Sequence, residues 1–405
     1  MENFAVVQSL IRAGLDQDTV TFRKQIKRLR TRLVKAGDEK AVETLDRLVE
    51  QSQNSSKLDP TDVSLSRMHI SGEILQPGTH SPLDKETGAN LAEIIFPTDF
   101  LKSDIPIYDA AIQRVIDGFL KEWDNPEALA SLGVEPTRTI LIFGPPGSGK
   151  TLTANYVAYR LGLPLISARI DGLISSFLGT TARNIANLFT FANRFQCVLL
   201  LDEFDAIAKL RDDPQEVGEI KRVVNTLLQN LDQRKSYGLT VAITNHDRLL
   251  DPAVWRRFQT QIHLGDPSDG ARLKLVERYM HPMKVSNGLM QIIGHCLEGR
   301  SGAEIERLCE STKRELAIHG PAIDDQAVIS AFSEIISRMP EDNGDKNNYL
   351  SLLKTDLDLF ICRLANDPEI KVNQAELADI FGRTQPSISR LRSGAKTVSE
   401  ASNGE

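Results

Sequence analysis

Apolar residues fall into distinct regimes along this chain, and each predicts a different kind of element. From Thr139 they come as short runs: Thr139 to Phe143, Leu165 to Ala168, Cys197 to Leu201, Leu239 to Thr244, and then Gln261 to Leu264. Each run has the length of a strand, and longer amphipathic segments separate most of them. Alternation of this kind predicts a parallel sheet with helices on both faces, an α/β architecture. From about Asp266 to Met339 the periodicity is helical only, which predicts a small all-α lid. Upstream, a helix is expected from Tyr108 to Asp124. Phe4 to Gln53 reads as helices broken at Gly14 and Gly37, with Phe22, Ile26, Leu29 and Leu33 at helical spacing. Between them, Ser52 to Leu83 is polar and carries Pro60, Pro77, Gly78 and Pro82, the marks of an irregular connection.

These shifts divide the chain into an N-terminal helical domain (1–55), a linker (56–100), an α/β core (101–265), the lid (266–339) and a C-terminal helical module (346–397). Glu341 to Lys346 joins the last two, and the residues after Thr397 are expected to fray. A chain of 405 residues is too long for one ordinary domain, so this division suits its length.

Charge narrows the class of partner. The formal net charge is −7, so the whole surface is not built to coat nucleic acid, although a local basic patch can still do so. Arg23, Lys24, Lys27, Arg28, Arg30, Arg32 and Lys35 interleave with the apolar stripe of the N-terminal helix. Two readings stand for it: a solvated face on a small bundle, or a docking surface for an acidic partner or nucleic acid. Cys197, Cys296, Cys309 and Cys362 form no Cys-x-x-Cys pair and have no histidine at zinc-ligand spacing. Buried thiols in a reducing compartment are expected rather than disulfides or a metal centre. The amino terminus lacks a basic segment leading into an apolar one, and no apolar run approaches the ~18 residues of a membrane span. A cytoplasmic protein without a membrane partner is expected.

The first chemistry lies directly after the first run. Gly144-Pro145-Pro146-Gly147-Ser148-Gly149-Lys150-Thr151 follows a predicted strand and opens a helix, the context a phosphate-binding loop requires. Glycines let backbone N–H groups turn toward phosphate oxygens, and the helix adds its positive end. The expected ATP-binding set is Gly147, Ser148, Gly149, Lys150, Thr151 and Leu152, with Lys150 on the β and γ phosphates and Thr151 on Mg²⁺. The run Cys197 to Leu201 ends in Asp202-Glu203. Acids closing a buried strand are costly unless they act. Asp202 is placed to hold the Mg²⁺ shell and Glu203 to polarise an attacking water. Asp205 extends this acidic tip and is expected to cap the next helix.

With these residues the chain resembles the AAA family of ATPases over roughly Leu132 to Leu316. The phosphate loop and Leu199-Leu200-Leu201-Asp202-Glu203-Phe204-Asp205 carry the resemblance in the family's order. It implies that Asn245, after Leu239 to Thr244, is the polar sensor facing the γ-phosphate. It implies also that Arg256 and Arg257, in Leu250-Asp251-Pro252-Ala253-Val254-Trp255-Arg256-Arg257-Phe258, reach a neighbouring subunit's nucleotide as arginine fingers, unranked between themselves. Fingers supplied across an interface imply a homo-oligomeric ring, expected to have six subunits. Ser301-Gly302-Ala303-Glu304-Ile305 resembles the start of the family's lid helix. Its Gly-Ala pair replaces the arginine of wider relatives, which points to the AAA clade rather than initiator-type or clamp-loader-type ATPases. Phe177-Leu178-Gly179 resembles the pore loop that grips a threaded polypeptide; a core phenylalanine at a loop end is the plainer reading of Phe177.

Near the C-terminus, Gln374 to Gly382 followed by Arg383-Thr384-Gln385 and Pro386-Ser387-Ile388-Ser389-Arg390-Leu391 has the form of a helix-turn-helix. Gln385, Ser387 and Arg390 are then candidate DNA contacts, with Ser389 and Arg392 beside them. Arg383 stands where an apolar residue is usual, and acids such as Asp356, Asp358 and Asp367 offset the module's bases, so a structural or protein-docking module remains open. The expected activity is that of an ATP-hydrolysing ring motor that unfolds, remodels or disassembles a protein substrate. The alternatives are a DNA-associated ATPase and an ATP-gated regulator of a partner enzyme such as a protease.

Overall fold

The computed structural model describes residues 72–100, 105–174, 178–208, 217–234, 238–319, 324–340 and 349–401. The chain divides into two compact units, Met1–Met68 and His69–Glu405. The first, with the N-terminal helices and the basic helix expected there, lies outside the described residues, as do the 341–346 linker and Phe177.

In the second unit the apolar runs become β2 (Thr139–Phe143), β3 (Leu165–Ala168), β4 (Val198–Leu201), β5 (Leu239–Thr244) and β6 (Thr260–His263). A further strand, β1 (Ala92–Ile95), comes from the stretch expected to be linker. Together they form a six-stranded sheet in the order β1-β3-β4-β5-β2-β6. All neighbours are parallel except β1, which pairs antiparallel with β3 through Ala92 opposite Ala168 and Ile95 opposite Leu165.

Alternation of side chains across each strand sorts the core into layers. Leu141, Leu199, Leu201 and Ala242 join one hydrophobic cluster, while Ile140, Ile142, Val198, Leu200, Val241 and Ile243 join the other. The second cluster is covered by α1 (Ala110–Asp124) and α2 (Lys150–Leu161), through Ile116, Phe119, Leu120, Ala154 and Val157. The first is covered by α3 (Leu178–Ala192) and α4 (Val217–Asp232), through Ile185, Leu188, Phe189, Val224 and Leu227. With both faces occupied, β4 and β5 are buried at every position, as parallel strands between helical layers must be.

The lid is α5 (Asp269–Met280), α6 (Asn287–Cys296), α7 (Gly302–His319) and α8 (Asp325–Ser337). Beyond it come α9 (Tyr349–Thr355), α10 (Leu357–Asn366), α11 (Gln374–Ile380) and α12 (Gln385–Ala401), the last continuing past Thr397. These C-terminal helices, expected to form a separate module, share a single core with the lid. Ile292, Ile293, Val328 and Phe332 belong to the same buried cluster as Leu353, Phe360, Leu377 and Ile388. A line of edge-to-face rings runs across the junction from His295 through Tyr349 and Phe360 to Phe381, with Phe360 6.1 Å from Tyr349 and 6.0 Å from Phe381. Polar ties reinforce it: Lys354 Nζ donates to Met339 O at 2.6 Å, and Lys371 N to Gln291 Oε1 at 3.0 Å.

Cys197, Cys296, Cys309 and Cys362 are free and buried. Burial raises the Cys197 and Cys296 thiols above their usual range and pushes that of Cys309 up to about 12, so these three stay protonated. Among the described residues, no group of acids, histidines or cysteines is arranged to hold a metal by itself, and no helix is long and apolar enough to cross a membrane.

The shared core gives a direct expectation. Phe360→Ala removes a fully buried ring at the junction and should cost about 3–5 kcal/mol. In hydrogen exchange, protection should fall in α6 of the lid together with α9 to α11. A loss confined to α9 to α12 would mean that the lid packs independently of them.

Candidate functional site

β2 ends at Phe143, and the chain turns through Gly144 to Gly149 into α2. Gly144 has φ 146°, and a Cβ there would lie 1.9 Å from the Leu264 carbonyl oxygen. Only a hydrogen fits, so the loop seats directly on the end of β6. Lys150 begins α2 and is 6% exposed, with Nζ donating to Gly144 O at 3.0 Å and Pro145 O at 2.6 Å. Burial pulls its ammonium below the usual lysine range, and the charge of Asp202 pushes it back up. A cation thus sits inside the loop at the positive end of a twelve-residue helix, a setting that favours anions.

β4 delivers the acids. Thr151 Oγ1 donates to Asp202 Oδ2 at 2.8 Å, which joins the loop to the strand end. These hard oxygen donors fit Mg²⁺ and would hold it beside the phosphate loop. Glu203 has φ 47°, the only positive φ outside glycine among the described residues. Its neighbours Leu201 and Phe204 are buried at 1% and 0% exposure, and Phe204 N donates to Ile243 O at 2.8 Å. The chain is pinned on both sides, so the left-handed turn between them throws the Glu203 side chain outward. Its own N–H donates to Asp202 Oδ1 at 2.8 Å.

β5 is fixed beside them. Thr244 Oγ1 donates to Asp205 Oδ1 at 2.7 Å and accepts from His246 N at 2.9 Å. Asp205, expected to cap the next helix, begins that helix and ties the end of β5 with its carboxylate. Asn245 follows directly and faces the same space.

That space is a cleft of about 1170 Å³. Gly147, Ser148, Gly149, Lys150, Thr151, Leu152, Asp202, Glu203 and Asn245 all line it. Ile107, Ile112, Leu264 and Leu275 line it as well. The cleft thus offers polar groups that suit a polyphosphate and apolar side chains that suit a flat base. The lid closes onto the loop through Ala303 N, which donates to Gly147 O at 3.1 Å. Ser301 and Glu304 make a reciprocal cap at the start of α7, Ser301 N donating to Glu304 Oε2 at 3.0 Å and Glu304 N to Ser301 Oγ at 3.4 Å.

The strap 105–109, which lines the cleft from Pro106 to Asp109, carries no motif, and no spacing of residues places it here. Tyr108 OH donates to Thr153 Oγ1 at 3.0 Å, and Thr153 Oγ1 to Gly149 O at 2.8 Å, so the strap is pinned to the phosphate loop. Burial pushes the Tyr108 phenol above its usual range and keeps that donor protonated. From the lid, Arg278 Nη1 donates to Ile105 O at 2.6 Å.

Other expected residues lie elsewhere. Arg256 and Arg257 are exposed, just after a short helix (Pro252–Trp255), and neither lines the cleft. Arg257 Nε pairs with Asp232 Oδ1 at 2.7 Å, whereas the Arg256 guanidinium makes no hydrogen bond or ion pair with a described residue. Leu178, expected in a loop with Phe177, is instead the first residue of α3. Gln385, Ser387 and Arg390 stand on α12, and none of them lines the cleft.

Comparison with known proteins agrees with this geometry. Residues 140–266 match the model of the ATPase family associated with various cellular activities (AAA). An uncharacterized AAA family ATPase of Sinorhizobium fredii is 41% identical over 240 residues, covering 58% of this chain and 70% of that protein. A proteasome-activating nucleotidase of Methanococcus maripaludis is 29% identical over 263 residues, covering 63% of this chain and 65% of its own length. Proteasome-activating nucleotidase 1 of Haloferax volcanii is 31% identical over 237 residues, covering 56% and 58%. The shared part therefore spans less than two thirds of either nucleotidase.

The turn at Glu203 carries its own test. A side chain in the left-handed region costs about 1 kcal/mol that glycine does not pay. Glu203→Gly should therefore raise stability by about that amount in denaturant melts, while Glu203→Gln should leave it unchanged. Destabilisation by the glycine would show that the turn is not strained.

Proposed function

This chain belongs to the AAA family of ATPases and hydrolyses ATP, and from that premise we propose that it works as a six-subunit ring motor that unfolds or remodels proteins. In this reading the triphosphate lies on the amides of Gly147, Ser148, Gly149, Thr151 and Leu152, with Lys150 moving from the loop carbonyls onto the β and γ phosphates. Thr151 and Asp202 would hold Mg²⁺, whose charge would offset that of the phosphates. Glu203 takes the proton of the attacking water, and Asn245 orients that water against the γ-phosphate. The observation that supports this reading best is the convergence of the loop after β2, the acids after β4 and the amide after β5 on one cleft.

Assembly enters through Arg256. In the isolated subunit its guanidinium has no partner among the described residues and stands outside its own cleft, whereas Arg257 is held by Asp232. We assign Arg256 as the main finger, reaching the γ-phosphate of the adjacent subunit, and Arg257 as a support that fixes the segment. A fixed cation there stabilises charge as it spreads in the transition state. Phe177, with Leu178 beginning α3 behind it, then forms the gripping loop at the ring's centre. A second reading, in which hydrolysis times engagement of a partner enzyme, draws on relatives named as proteasome-activating nucleotidases.

Two experiments test this proposal. Arg256→Ala should lower turnover by about 100-fold or more, and Arg257→Ala by less. Mixing Arg256→Ala with Glu203→Gln subunits should restore part of the activity, because one supplies the cleft and the other the finger. No recovery in mixed rings would sink the cross-subunit assignment. For the motor, a Glu203→Gln ring held in ATP should retain protein substrates on pull-down, and adding Phe177→Ala should release them, while Phe177→Ala alone hydrolyses ATP at close to the parent rate. Retention that persists without the aromatic ring would favour the partner-enzyme reading.

A further inference from the structure

The last two helices have a geometry that the ATP cleft does not use. Asn373 opens α11 with a reciprocal cap: its Oδ1 accepts from Ala375 N and Glu376 N at 2.9 Å each, and its N–H donates to Glu376 Oε2 at 2.9 Å. The helix closes at Gly382, whose φ is 61°, with Arg383 N donating to Ala378 O at 2.8 Å. A Cβ on Gly382 would lie 2.5 Å from Gln326 Nε2, so the turn is also pressed against the lid. Thr384 O then accepts from Ser387 N at 2.9 Å and Ile388 N at 3.2 Å, starting α12. Leu377, Ala378 and Ile388 are buried between the two helices and α10, with Phe381 and Leu391 packed against them. A short helix, a four-residue turn with a left-handed glycine, and a longer helix anchored by alternating inward positions make a helix-turn-helix.

Its outward face is of one kind. Gln385, Pro386, Ser389, Arg390, Arg392 and Ser393 are exposed. From Ile380 to Ser399 the sequence contains Arg383, Arg390, Arg392 and Lys396 and no acid, in a chain whose net charge is −7. Arg383 is neutralised by Asp358 Oδ1 at 2.5 Å, but Arg390 and Arg392 have no carboxylate partner among the described residues. Among the exposed side chains described from Gln385 to Ser393 there is no large apolar residue to suit a protein groove and no acid to repel phosphate.

We propose that this unit places α12 in the major groove of duplex DNA, with Gln385 and Ser389 at base edges and Arg390 and Arg392 on phosphates. A helix fits the major groove of B-form DNA, and its N-terminal residues reach the bases. The glutamine can bond an adenine edge twice, while the arginines fix register on the backbone. The deep, narrow major groove of an RNA duplex does not admit a helix, which selects DNA over RNA. The site stands apart from the cleft and does not depend on the substrate of the motor. Repeated around an oligomer, individually weak contacts add through their high effective concentration.

Fluorescence anisotropy of the full-length chain tests this with random-sequence DNA and RNA duplexes of equal length, across a salt series. The DNA duplex should bind with micromolar or weaker affinity that falls steeply with salt, roughly as expected for non-specific contacts. Arg390→Ala with Arg392→Ala should weaken binding about tenfold or more and lower the salt slope by about 2, with ATPase rate and melting temperature unchanged. Selection from a random DNA library should enrich a motif that Gln385→Ala no longer selects. No binding at low salt, equal binding of the RNA duplex, a slope unchanged in the double variant, or a motif indifferent to Gln385 would each overturn the proposal.

Discussion

Everything in this molecule that bears on chemistry follows from strands that are buried on both faces and run the same way. Inside such a sheet no side chain of β4 or β5 can reach water, and a polar group there is costly. The first positions where acids and amides can appear are the strand ends. Because β2, β4 and β5 are parallel, those ends lie along one edge, and the phosphate loop, Asp202-Glu203 and Asn245 are gathered there without any one segment having to carry all of them. The same burial fixes Leu201 and Phe204 on either side of Glu203 and so sustains a left-handed turn that an exposed loop would relax.

Closeness of backbones does the rest. At Gly144 the loop touches the carbonyl at the end of β6 with no room for a methyl group, and at Gly147 its own carbonyl accepts from the lid. The cleft is therefore bounded by three segments distant in the sequence, held by main-chain contacts rather than by large side chains. Tyr108 and Arg278 close the remaining side with hydrogen bonds to Thr153 and to Ile105.

Much of this was legible in the sequence because buried parallel strands leave unbroken apolar runs and phosphate loops need glycine. The runs beginning near Thr139, Leu165, Cys197 and Leu239 all became strands, with bounds shifted by a residue at most. β1 was hidden because an edge strand of four residues, with Glu93 exposed, is too short to stand out from the connection expected around it. The strap around Tyr108 was hidden because its place in the cleft depends on tertiary contacts with α2 and the lid, which leave no spacing to read. Arg256 and Arg257 could not be ranked from sequence, since what separates them is Asp232, more than twenty positions away at the end of α4. Likewise, the polar stretch after Met339 suggests a boundary, while the aromatic line from His295 to Phe381 joins what lies on either side.

That junction has a mechanical consequence. Helices α9 to α12 have no separate core about which to pivot, so they act as a stiff arm cantilevered from the lid. Were the lid to tilt against its seat on the Gly147 carbonyl, the arm would have to turn with it as one body, because the two share their buried side chains. Such a movement would reach the last helices without any rearrangement of side chains between them.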